Sequence, residues 1–305
     1  MLRSGMAAGV AAYLLWGLFP LYWPLLEPAA PVEILAHRIV WSLVFLAVVL
    51  AVAGGGFSFA RRLGRRRAGL LAVAAALITV NWGTFIHGVN SGHVVETSLG
   101  YFINPLVSVA LGVGVLGERL RLAQGWAVGI GALAVAILAV DYGRPPWIAL
   151  ILAFSFGLYG LVKKHVGIGG TQSLAVETAL LLLPALGYLA YLGATGGGTF
   201  TTEGPGHAAL IAAGGVATAV PLMLFGAAAN RLPLSTLGVL QFIGPTMHFV
   251  IGVAINGEPM PPVRLAGFAL VWLALAVFTV DLLRASRRAR AAATARPGEP
   301  EPVPA

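Results

Sequence analysis

Asn81, Thr84, His87 and Asn90 recur at intervals of three within one apolar stretch. On a helix that interval turns by about 60° per step, so the first three share a face roughly 120° wide. Such a face can hydrogen-bond a ligand, or it can bond a neighbouring helix. His37 and Arg38 stand a few residues inside a second apolar stretch, and Glu177 and Glu96 inside two others. An ionisable side chain there costs at least ~2.5 kcal/mol on insertion scales, which makes it a functional candidate by default. Arg38 also has the length to snorkel to headgroups. Histidine, with a reference pKa of about 6.5, can load and release a proton near neutrality, and a desolvated glutamate can be tuned to do the same. Tyr101 and Asn104 precede Pro105, and Gln241 and Phe242 precede Pro245. Each proline removes a backbone donor and frees a carbonyl about four residues earlier, near Tyr101 and Gln241. Trp16, Tyr101 and Phe242 add flat faces for an apolar ligand. Candidate substrate contacts are therefore Trp16, His37, Arg38, Asn81, Thr84, His87, Tyr101, Asn104, Gln241 and Phe242. Candidate proton carriers are His37, Glu177 and Glu96. Helix packing, a proline kink and a salt-bridged Glu177 are the structural alternatives.

No metal, cofactor or catalytic group is expected. No two of the six histidines are four apart, cysteine is absent, and neither a Walker nor an HExxH motif occurs.

These residues are held by a chain with little water-soluble character. Hydrophobic residues make up 58% of it and charged residues 10%, with a mean hydropathy of +0.89, against about 25% charge in soluble domains. Ten apolar stretches follow one another: 5–26, 32–53, 69–91, 96–116, 123–140, 146–162, 173–192, 207–229, 233–256 and 263–283. Each is long enough to cross a ~30 Å hydrocarbon core. Lipid offers no partner to free backbone N–H and C=O groups, so segments of this kind must be helices.

The chain also repeats itself at a spacing of 140. Gly17 recurs as Gly157, Asn90 as Asn230, Pro105 as Pro245, Gly117 and Glu118 as Gly257 and Glu258, and Asp141 as Asp281. By the same step His37 corresponds to Glu177. Each unit holds five helices, an odd number, so the second enters the membrane from the opposite side. The expected organisation is a first repeat over 1–144, an inverted second repeat over 145–284 and a disordered tail over 285–305. With a cytoplasmic N-terminus, all of the 19 Lys and Arg except Arg38, Arg144 and Arg264 fall on the inner side. The net charge of +8 then reflects topology and contact with anionic lipid, with no nucleic acid as partner. The spacings Gly5-xxx-Gly9 and Gly125-xxx-Gly129 predict close helix contacts.

The stretches 33–42, 81–82, 98–106, 117–120, 155–160 and 232–238 resemble the RarD branch of the EamA-type permeases, in the drug/metabolite transporter superfamily. The likeness covers about Gly5 to Leu283. It implies an all-α integral membrane protein with ten transmembrane helices in two inverted five-helix repeats, in the bacterial inner membrane, with transport as its function. At Phe242 the family commonly carries a tyrosine, so a hydroxyl is missing here. The function expected is secondary active transport of a small organic molecule, a drug or metabolite, by alternating access with proton coupling. Uptake of a nutrient is the alternative within the class; a non-transporting membrane subunit or an intramembrane enzyme are the alternatives outside it. Partners on this reading are the substrate, membrane lipid and a proton, with room for a homodimer. Reporters fused after Arg66 and after Arg288 should read cytoplasmic and one near Glu203 periplasmic. A periplasmic signal after Arg288 would require an odd number of spans.

Overall fold

The computed structural model describes residues 2–52, 64–117, 119–166, 170–229, 231–232 and 234–294, which are helical with no strand among them. Helix α1 (Leu2–Gly17) passes into a short helix α2 (Phe19–Tyr22) and a 3-10 turn (Trp23–Leu26), where Pro20 and Pro24 each withhold a backbone donor. Then follow α3 (Pro31–Val52), α4 (Arg65–Asn90), α5 (Val94–Leu116), α6 (Leu122–Asp141), α7 (Trp147–Val166), α8 (Gly170–Thr195) and α9 (Pro205–Ala229). The chain ends in α10 (Leu234–Leu240), α11 (Ile243–Val250), a π-helical turn (Ile251–Ile255) and α12 (Pro262–Thr294). Nine helical stretches among the described residues are long and apolar enough to cross a membrane, and α7 contributes a shorter apolar helix over Trp147–Lys163.

The matched prolines behave differently. Pro105 lies inside the unbroken α5, whereas the expected stretch 233–256 is broken at Gln241 and Phe242. At the break Gln241 N–H still reaches the Leu237 carbonyl, while Phe242 N–H turns to the Val239 carbonyl, out of the regular α-helical ladder. At the other end α12 continues to Thr294, which corrects the expectation of a disordered segment from Ala285. Alanine and arginine are strong helix formers, and no proline intervenes before Pro297. Residues 295–305 lie outside the described residues.

Helices α6 and α12 run antiparallel, tied by ion pairs at both ends. Arg264 Nε meets Asp141 Oδ2 at 2.8 Å, and Arg121 meets Asp281 at 2.6 Å. Helix α7 packs against α4 and α5, α1 against α9 and α11, and α3 against α8 and α9. One apolar core gathers Phe19, Trp23, Ile34, Phe85, Leu152 and Ile211. A second gathers Val95, Leu99, Phe102, Leu138, Phe268 and Val271. Gly117 and Gly257, partners in the repeat, both adopt left-handed conformations, with φ of 65° and 66°. A residue with a Cβ is strained there, which accounts for glycine at both places.

Among the described glycines, Gly215 of α9 sits tightest against another backbone: an added Cβ would press on the Trp41 carbonyl carbon and lie 2.6 Å from the Ser42 nitrogen of α3. Gly5 and Gly9 are also in close contact, against Arg231 and Leu240. Gly125 and Gly129 are not: among the described residues an added Cβ at either meets nothing within 4 Å. Within one chain the expected contact at that pair is therefore absent, because α6 turns Gly131 and Ala127, instead, toward the core. Gly215→Ala should cost about 1–3 kcal/mol through overpacking, and Gly125→Ala should be neutral or stabilising by up to ~1 kcal/mol. Thermal unfolding of the two variants in detergent checks the contrast.

Candidate functional site

Arg38 is buried where four elements converge. Its Nε donates to Thr218 Oγ1 of α9 at 2.6 Å. The guanidinium carbon lies 4.0 Å from the ring centroid of Trp82 on α4, 5.3 Å from Trp23 and 5.6 Å from Phe19. Asn81, beside Trp82 in sequence, takes a different direction round α4. Its Nδ2 donates to the Leu152 carbonyl (3.0 Å) and to Ser155 Oγ (3.1 Å) of α7, and its Oδ1 accepts from the Tyr101 hydroxyl at 3.1 Å. Tyr101 and Phe85 pack around His248 of α11, with ring centroids 6.0 and 5.1 Å away. His248 Nε2 donates to the Trp16 carbonyl (3.1 Å), and its Nδ1 is buried with no partner among the described residues. Polar and aromatic groups from α1, α4, α5, α7 and α11 thus meet, and Trp82, next to Asn81 on α4, faces the cation of α3.

His37 lies at the end of the bundle that carries loop 196–204. Its ring stacks on Phe200 at 4.5 Å with planes 21° apart. One turn earlier Glu33, also buried, accepts from the Thr199 N–H (2.7 Å) and hydroxyl (3.0 Å), and Thr199 Oγ1 is 3.0 Å from His207 Nε2. Glu177 stands in a different cluster on α8. Lys163 Nζ approaches it to 2.7 Å, Ser173 Oγ to 2.6 Å and the Tyr159 hydroxyl to 3.0 Å, and Lys163 also contacts Ser173. A fully buried carboxylate is here neutralised by one cation and held by two hydroxyls.

Glu96 pairs with Arg144 at 2.8 Å and accepts the Ile148 N–H of the first turn of α7 at 3.0 Å. Glu258 does the same for α5, accepting from Val94 N–H (2.6 Å) and Val95 N–H (3.0 Å). Both exploit the free donors and positive end of a helix N-terminus. Burial pushes the Glu258 carboxyl upward, and the two N–H groups pull it back. Tyr142, against which Arg264 lies at 4.3 Å, has its phenol raised to about 12 by burial, with the arginine opposing.

The sequence candidates divide by place. Asn81 and Tyr101 come together, Trp16 joins them through its carbonyl on His248, and Arg38 faces Trp82, the residue after Asn81. The face expected for Asn81, Thr84 and His87 divides by depth: Asn81 is buried, Thr84 half-buried and His87 exposed. His87 lines a cleft of about 310 Å³ with Glu27, Ala29, Pro31, Asn90 and Ser91. Asn104 Oδ1 is buried with no hydrogen bond among the described residues. Gln241 and Phe242 form the α10–α11 break, with Phe242 packed on the second core. Sequence reasoning passed over His248, Glu33 and Lys163. The signal for His248 and Glu33 was the same as for His37, an ionisable group within an apolar stretch. Among the described residues no three histidine or carboxylate side chains converge on a metal position.

Long apolar helices around a paired polar interior find their counterpart in a family model, that of the EamA-like transporter family, which matches residues 3–140. The protein is a multi-pass α-helical membrane transporter. Protein RarD of Streptomyces exfoliatus is 58% identical, covering 95% of this chain and 92% of the relative. The uncharacterized transporter YojE of Bacillus subtilis is 42% identical over 94% and 97% of the two chains. A solved crystal structure 18% identical in sequence superposes with a TM-score of 0.57, covering 91% of this chain and 98% of the other, which speaks to fold alone. The chain belongs to the RarD branch of the EamA-type transporters.

Because Glu177 is enclosed with Lys163 as its cation, Lys163→Met should leave a buried unpaired charge and cost about 3 kcal/mol. Adding Glu177→Gln to that variant should recover most of the loss, as thermal unfolding of the single and double variants would show.

Proposed function

We propose that the protein is a secondary active transporter that moves a small organic molecule, a drug or metabolite, across the bacterial inner membrane by alternating access. Residues 1–144 and 145–284 are its two inverted five-helix repeats, and both termini are cytoplasmic. The observation that carries this reading is a reciprocity of contacts. Asp141, ending α6, pairs with Arg264 at the start of α12, while its repeat partner Asp281, on α12, pairs with Arg121 before α6. Gly17 likewise faces Met247, and Gly157 faces Val107, with all four positions related by the 140-residue step. Equivalent acids at opposite ends of one helix pair are what an axis in the membrane plane produces, and two halves so related can exchange conformations to face either side.

Transport is proton-coupled on this reading. His37 and Glu177 occupy equivalent repeat positions and are buried in separate clusters, one beside Glu33 and Phe200, the other beside Lys163 and Tyr159. Asn81, Tyr101, Arg38 and Trp16 contribute to the substrate path between them. A pH-jump assay in proteoliposomes against a metabolite panel tests the assignment. Glu177→Gln should abolish gradient-driven accumulation and leave passive exchange partly intact, and Asn81→Ala should lower the rate per folded molecule. Full gradient dependence in both Glu177→Gln and His37→Gln would show that neither group carries the proton.

A further inference from the structure

Arg38 keeps 3% of its surface exposed, and among the described residues no carboxylate balances its charge, whereas Arg121, Arg144, Lys163 and Arg264 each have one within ion-pair distance. Its hydrogen bonding is equally incomplete. Nε is used by Thr218, and among the described residues no carbonyl, hydroxyl or carboxylate accepts from the two terminal amino groups. The rings of Trp82, Trp23 and Phe19 attract the cation, but a ring face does not satisfy the N–H fork.

An unpaired charge in a membrane interior is costly, and the repeat does not need it: the equivalent position in the second unit is Thr178. The side chain is also immobilised, with Nε anchored and one face held 4.0 Å from an indole. A fixed guanidinium with its fork free is the geometry that takes a carboxylate or phosphate through two parallel bonds.

We infer that Arg38 is the anion-binding residue of the substrate site, and that the transported molecule is an organic anion whose carboxylate or phosphoryl oxygens pair with its terminal amino groups. The inference rests on the transporter reading and narrows its substrate class.

The test uses the full chain in phosphatidylcholine nanodiscs. Phenylacetate, indole-3-acetate and phenyl phosphate serve as probes, each against a neutral counterpart: phenylacetamide, indole-3-acetamide and phenol. Thermal unfolding and tryptophan fluorescence report binding. At least one anion should bind saturably and about ten-fold or more tightly than its counterpart. Arg38→Gln should remove that preference, and Arg38→Lys should retain part of it. The inference is overturned if no anion binds, if anion and neutral counterpart bind alike, or if the preference survives Arg38→Gln. The comparison on the parental protein stands whether or not that variant folds. In proteoliposomes, an anion that binds through Arg38 but is not moved would count against the transporter reading and leave this site standing. A neutral or cationic solute moved at the parental rate by Arg38→Gln would do the reverse.

Discussion

Lipid neither donates to nor accepts from a polar group, and the architecture follows from that single condition. Backbone groups are satisfied within helices, so the chain becomes a set of long rods. Polar side chains must then find partners between rods, which decides how the rods are arranged. Asn81 links α4 to α5 and α7, Glu177 links α8 to α7, and Glu33 fastens the loop before α9 to α3. Carboxylates also act at rod ends, where Glu96 and Glu258 accept the free N–H groups that open α7 and α5. Against this background Arg38 stands apart, since aromatic faces and one hydroxyl are all that surround its charge among the described residues.

The polar contacts require close approach, and glycine supplies it at a few places. At Gly215 the α9 backbone lies against that of α3, which brings Thr218, one turn on, to the Nε of Arg38. A methyl group at 215 would press on the same helix that carries His37 and Arg38. Packing density and site geometry are therefore one property here, because the residues that close the helix pair are within a turn of those that hold the cation.

Much of this was legible in the order of residues. Helix positions followed from apolar length, since spans of that length in lipid have one backbone solution. The repeat was visible because glycines, prolines and acids are rare enough for coincidences at 140 to carry information. Asn81 and Arg38 were found as polar groups inside apolar spans, and Tyr101 as the aromatic residue four before Pro105. What periodicity could not give was depth and partner. Asn81 and His87 share an angular face, yet one is buried and the other opens on a cleft. Proline alone did not separate α5, which stays whole, from the α10–α11 break, and neither does glycine, since Gly100, Gly112 and Gly114 lie in the unbroken α5. Pairings such as Lys163 with Glu177 lie across two helices, and their geometry has no signature in spacing. Gly125 and Gly129 show the opposite error, a contact pattern in sequence with no neighbour among the described residues.

Repeat partners share a position without sharing a material. Gly17 rests against Met247, an unbranched side chain that can change rotamer and reshape its contact. Gly157 rests against Val107 and Leu111, and the β-branched valine is stiff about χ1. The α1–α11 seam is therefore compliant where the α5–α7 seam is rigid. A change of rotamer at Met247 alters the α1–α11 contact without moving either backbone, whereas Val107 offers no such adjustment to α5 and α7.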